Sequence, residues 1–188
     1  PPAVKANLEL WNPGENLQEY KVAAKISNWD TGPVNLNRFT IKMWFYYTDA
    51  QSLVTSIFGN NQSVYDSGGV YQSGVANTTL LILPLIPTRD CGGGRMANQI
   101  ATLGFTDTDP IPAGGGYMRS DGDVNTLATW HKNDWSNFDR SQDYSRATDA
   151  GLGYASRANL IYYALYLDGV LLAEYSDGST PDASSGQE

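Results

Sequence analysis

The sequence predicts an all-β protein, a β-sandwich with jelly-roll topology, and three observations carry that prediction. Apolar and polar residues alternate with period two over long runs, the pattern of half-buried strands. Turn formers (19 Gly, 9 Pro and many Asn, Asp and Ser) separate those runs, while only 17% of residues are charged, a balance that suits many short strands. No long stretch shows a clean helical period bounded by caps.

The elements follow in order. In "VKANLELW", Val4, Ala6, Leu8 and Leu10 fall on one face and Lys5, Asn7 and Glu9 on the other. "EYKVAAKISNW" repeats this with Tyr20, Val22, Ala24 and Ile26. The turn segment "NWDTGPVNL" follows. Then "RFTIKMWFYYT" sets Phe39, Ile41, Met43 and Phe45 against Thr40, Lys42, Trp44 and Tyr46. Further strands are expected at residues 53–58, 78–83, 99–105 and 125–131. "NLIYYALYLDGVLLAEY" closes the series as a hairpin, because Asp168-Gly169 favours a type I′ turn in which both residues have φ > 0. "SQDYSRATDAGLGYASRANL" is the one place for a short helical turn. "PLIPTRDCGGGRMANQ", residues 84–99, has two Pro and three consecutive Gly. It reads as a long loop, and such loops are usually functional or mobile. It fails as a phosphate cradle, since no Lys-Ser/Thr follows and no helix starts there.

A chain of 188 residues suits one domain. The ends "PPAVKANLEL" and "SDGSTPDASSGQE" resemble linkers, placing a module at 4–176 between a linker end at 1–3 and a tail at 177–188. The net charge is −8, with no basic cluster. That argues against nucleic acid or an anionic membrane, and towards an uncharged polymer or a cation. Cys91 is the only cysteine, which excludes an intrachain disulfide and a multi-Cys zinc site. No apolar run has the length of a membrane span. Asn61-Gln62-Ser63 and Asn77-Thr78-Thr79 are glycosylation sequons.

"HKNDWSNFDRSQDYS", residues 131–145, concentrates the chemistry, with the only His and a Trp, a Phe and a Tyr among three Asp. As a catalytic site it is weak: His131 has no Gly-x-Ser-x-Gly partner. The many pairings of Asp121, Asp123, Asp134, Asp139 and Asp143 give no specific glycosidase signature. As a metal site, Asp139 and Asp143 with Gln142 could wrap a hard cation if Thr48 and Asp49 of "YYTDAQ" complete the oxygen shell. As a stacking surface, Trp135 among Asn133, Asp134, Ser136 and Asn137 offers an apolar ring face to a sugar and polar groups to its hydroxyls.

"KNDWSNFDRSQDYS" closely resembles the "KNDWSNY…SNDYS" segment of family 3 carbohydrate-binding modules, the cellulose-binding modules of bacterial cellulases and cellulosomal scaffolds. The resemblance extends in order through "VKANLELWNPGENLQEYKVAAKISNWDTGPVNLNRFTIKMWFYYTDAQ", "GFTDTDPIPAGGG" and "YALYLDGVLLAEY", covering residues 4–175. It implies about nine strands in a jelly roll, secretion, no catalysis, and a structural calcium held by Thr48, Asp49, Asp139, Gln142 and Asp143, where Asp139 and Gln142 replace the family's Thr and Asn and can serve through main-chain carbonyls. The spacer in "YYTDAQ" is one residue shorter than the family's. The resemblance also implies a flat cellulose strip carrying Trp135 and Tyr71. The strip's Arg falls on Thr129 and its Asp-His pair near Gly59 and Asn60, so Trp130, His131, Tyr65 and Phe58 are the possible substitutes. A shallow groove on the opposite sheet would draw on Trp44, Tyr46 and Tyr144. The expected function is targeting of a tethered enzyme or scaffold to cellulose or a related β-glucan in plant cell wall. The alternative is an accessory module packed against a glycoside hydrolase domain without cellulose affinity of its own.

Overall fold

The computed structural model describes residues 4–13, 17–58, 61–75, 77–121, 126–143, 145, 157–159 and 163–175. Gly59, Asn60, Asp123, Tyr144, both terminal segments and most of the expected helical turn lie outside them.

The period-two runs are strands. β1 (Ala6–Pro13) pairs antiparallel with β2 (Glu19–Asn28), and the turn segment after them holds β3 (Val34–Asn35) and a 3-10 turn at Leu36–Arg38. β4 (Phe39–Phe45), β5 (Leu53–Ile57), β6 (Gln62–Tyr65) and β7 (Tyr71–Val75) come next. The long hairpin of β8 (Thr78–Gly92) and β9 (Arg95–Phe105) is followed by β10 (Pro110–Ile111), β11 (Gly116–Ser120), β12 (Ala128–Lys132) and β13 (Arg157–Asn159). β14 (Tyr163–Leu167) and β15 (Val170–Tyr175) close the chain. The described residues thus form more strands than the nine expected, three of them only two or three residues long.

Two main sheets result. One has the order β13-β1-β2-β11-β6-β7, with β12 pairing β2 and β5; the other runs β15-β14-β4-β9-β8. β11 and β12 lie successively along β2, antiparallel to it: Ser27 pairs with Tyr117 and Glu19 with His131. The main core lies between the sheets. Tyr20, Val22, Ala24 and Ile26 meet Phe39, Ile41, Met43 and Phe45, all essentially inaccessible. Each of the larger of these side chains contributes about 1.5–3 kcal/mol on burial, so reversing the alternation of either strand would unfold the sandwich.

The final hairpin is as predicted. Asp168 and Gly169 have φ of 50° and 79°, and the Arg38 guanidinium donates to both Asp168 carboxylate oxygens at 2.7–3.2 Å. At the turn before β11, a Cβ on Gly116 would stand 2.3 Å from the Pro112 carbonyl oxygen, so only glycine fits.

Residues 84–99 do not form the expected loop. They extend the β8–β9 hairpin, and Gly92, Gly93 and Gly94, all with positive φ, turn it. The prolines are tolerated because β8 is an edge strand and its register shifts between Pro84 and Arg89. The hairpin buries Leu85, Cys91 and Ala97 with Trp44, Ile100, Ala164 and Tyr166 in a second core. Trp44 is therefore 1% exposed and cannot line a groove on this sheet.

Candidate functional site

The solvent face of the larger sheet follows from the same alternation. With Tyr20 to Ile26 inward, Glu19, Lys21, Lys25 and Ser27 of β2 face outward. Their cross-strand partners share that face: His131 beside Glu19, Thr129 beside Lys21, Arg119 beside Lys25 and Tyr117 beside Ser27. Tyr65 pairs with Tyr117 and Tyr71 with Tyr65. Eight residues of β2 separate the His131 row from the Tyr117 row, roughly 25 Å at strand rise.

One end of the face carries Trp135. Its N–H donates to the Lys132 carbonyl at 3.0 Å, closing a tight turn directly after β12. Trp135 sits in that turn with φ 58°, the left-handed region that L side chains avoid. Gln18 Nε2 donates to its carbonyl at 2.8 Å. The indole is 48% exposed and stacks on the His131 ring, with centroids 3.5 Å apart and planes 10° apart. His131 Nδ1 lies 2.7 Å from the Lys132 carbonyl, so that nitrogen carries the proton and donates. Of the flanking polar residues, Asn133, Asp134 and Asn137 are exposed. Asp134 accepts from the Ser136 N–H and hydroxyl at 3.0 and 2.7 Å, which holds its carboxyl below the ordinary range.

The other end is a tyrosine cluster. Tyr65 stacks on Tyr117 at 5.2 Å and meets Tyr71 edge-on at 6.1 Å. The Lys25 ammonium lies 4.4 Å from the Tyr117 ring centre. Asp121 accepts from Tyr65 and Ser63 hydroxyls at 2.7 Å each. That hydrogen bond, then burial and the carboxylate charge, push the Tyr65 phenol up. Tyr71 is 59% exposed.

Most of the expected ligand residues are thus gathered on or beside one face. Trp130 is not: it is fully buried, stacked on Tyr20 at 5.3 Å, because β12 alternates and places it opposite His131. Sequence reasoning missed Tyr117 and Lys25, although the alternation in "GYMRS" and "YKVAAKIS" marks both as outward.

The expected calcium residues surround a cavity of about 180 Å³ lined by Thr48, Asp49, Asp139, Gln142 and Lys132, with Asp143 off its wall. Their side chains do not fit a calcium shell. Among the described residues, no three acidic, His or Cys side chains converge as a metal site. Asp139 accepts from the Ser141 N–H and hydroxyl at 3.0 and 2.7 Å. Asp49 accepts from the buried Lys132 ammonium at 2.7 Å. Asp143 is 2% exposed and its carboxylate takes donors from Tyr20, Tyr46 and Ser145.

Two of the aspartates, Asp134 and Asp139, are poor candidates for a general acid. Hydrogen bonds hold Asp134 and Asp139 below their ordinary range, opposite to what a glycosidase acid requires.

No protein-family model and no curated protein sequence matches the chain. Solved structures do. A family IIIA CBD from Clostridium cellulolyticum is 21% identical, with TM-score 0.67 over 94% of this chain and 97% of that one. The family 3a carbohydrate binding module from the cipA scaffolding of Clostridium thermocellum is 17% identical, with TM-score 0.67 over 89% and 99%. The chain has the family 3 carbohydrate-binding-module fold. A scaffoldin family 3b module from the cellulosome of Bacteroides cellulosolvens shares that β-sandwich at 18% identity, with TM-score 0.62 over 94% and 98%.

Proposed function

We propose that this chain is a secreted, non-catalytic carbohydrate-binding module whose outer β-sheet face binds cellulose or a related β-glucan and carries a linked enzyme or scaffold to plant cell wall. The observation that carries the reading is the Trp135–His131 stack. The indole is half exposed and backed on one side by an imidazole, and its exposed part offers a stacking surface to an apolar sugar face. The tyrosine cluster supplies a second contact along the same sheet, at a separation that accommodates several sugar rings in one extended chain. Between them, Lys21, Glu19, Thr129, Lys25 and Arg119 offer hydrogen-bond partners for hydroxyls. A face preformed on paired strands loses little freedom on binding, and tethering then raises the local concentration of an attached enzyme on its substrate.

The test is a depletion isotherm on microcrystalline cellulose with the wild-type chain, Trp135→Ala and Tyr71→Ala. Saturable binding weakened by both substitutions is expected. Binding unaffected by either would move the ligand off this face. Absence of binding in the wild type would favour an accessory module docked on a catalytic domain.

A further inference from the structure

The sandwich end that holds Thr48, Asp49 and residues 132–143 is pinned by a set of side-chain hydrogen bonds. Lys132 is 6% exposed, and its ammonium donates to the Asp49 carboxylate at 2.7 Å and to the Asn137 carbonyl at 2.6 Å. It also faces the Phe138 ring, 5.5 Å from its centre. This one cation links the segment after β4 to the turn after β12. The second Asp49 oxygen accepts from the Gln51 N–H at 3.0 Å, so the carboxylate is engaged at both ends.

Asp143 is held in the same manner. An ionised carboxylate offers about four acceptor directions. Here they receive the Tyr20 hydroxyl, the Tyr46 N–H at 3.2 Å, and the Ser145 N–H and hydroxyl, both at 3.0 Å. Tyr20 belongs to β2 and Tyr46 follows β4, so Asp143 joins both sheets through these hydrogen bonds. A dication entering the neighbouring cavity would face the Lys132 ammonium on the cavity wall, a repulsion that partial burial strengthens. It would also have to strip the buried Asp143 carboxylate of its donors.

We infer that Lys132, set between Asp49 and Asn137, and the Tyr20 hydroxyl on Asp143 perform the clamping that the family resemblance assigns to calcium, and that this chain folds and holds its shape independently of calcium. The inference concerns the end of the sandwich and stands whether or not the outer face binds glucan.

The test is thermal unfolding of the full chain after treatment with a chelator, and again with millimolar calcium. A filled site at a hundredfold excess over Kd would raise Tm by roughly 5–11 °C in a domain of this size. The expected result is the same Tm in both solutions, and any rise of that order with calcium overturns the inference. Terbium, which luminesces when bound near excited Tyr or Trp, is the second probe. No calcium-displaceable luminescence is expected, and its appearance would overturn the inference independently. Tyr20→Phe tests the clamp itself. Removing one donor from a buried carboxylate lowers Tm by roughly 3–12 °C, with or without calcium. An unchanged Tm in this variant would mean that the hydroxyl clamps nothing.

Discussion

Trp135 gives a prediction in which the usual order of two substitutions is reversed. Its φ of 58° costs a non-glycine residue about 1–2 kcal/mol. Trp135→Ala keeps that strain and loses the contact with His131, about 0.5–1.5 kcal/mol for an aromatic pair. Trp135→Gly loses the same contact but relieves the strain, against about 0.4–1 kcal/mol for the greater freedom of glycine in the unfolded chain. The glycine variant is therefore expected to be more stable than the alanine variant by about 0.5–1 kcal/mol, or roughly 1–4 °C in Tm. At an ordinary strand or helix position alanine would win. Both variants lose the ring, and loss of one stacking aromatic, about 1–3 kcal/mol, weakens polysaccharide binding by roughly 5- to 150-fold. Denaturant unfolding of the two variants and a depletion isotherm supply the measurements. An alanine variant more stable than the glycine variant would refute the strain argument, and unchanged binding in both would refute the role of the ring.

Three further outcomes are expected. The phenol of Tyr65, raised by its bond to Asp121, by burial and by the carboxylate charge, should titrate above the ordinary tyrosine value in ultraviolet difference spectra, and Asp121→Asn should bring it down. Because the folded pKa is the higher one, its contribution to stability is full below about pH 10 and is lost as pH rises through the folded value. An Asp121→Asn titration identical to wild type would contradict this. Cys91, 5% exposed with its thiol pushed up to about 12 chiefly by burial, should resist a thiol reagent in the native protein and react only as the β8–β9 hairpin opens. Prompt labelling would show that the second core is not closed. Trp44→Ala, which empties that core, should cost about 3–5 kcal/mol in a denaturant titration. It should leave binding on the other sheet intact, since Trp44 packs on the outer side of the smaller sheet.

Much of the fold was legible because period-two alternation is a local property and each strand states its own buried face. Tyr20, Val22, Ala24 and Ile26 could be assigned to the core without knowing what covers them. The Asp168-Gly169 turn was legible because its two positive φ values depend on those two residues alone. The glycine-rich segment misled because glycines and prolines describe turning capacity and not pairing. Whether residues 84–99 wander or fold back depends on Trp44, Ile100 and Tyr166, far away in sequence. Trp130 was misplaced for a related reason: its neighbour His131 takes the outward position of β12, and one residue of register separates core from surface.

The strand faces, the closing hairpin and Trp135 in polar company are properties of neighbouring residues and were readable along the chain. The tertiary structure alone decided that His131 backs Trp135, that Tyr117 joins Tyr65 and Tyr71, and that Lys132 and Tyr20 reach Asp49 and Asp143. The last case states the reason most plainly. A carboxylate's chemistry depends on which donors surround it in the folded state, and these two donors come from strands more than eighty residues away along the chain.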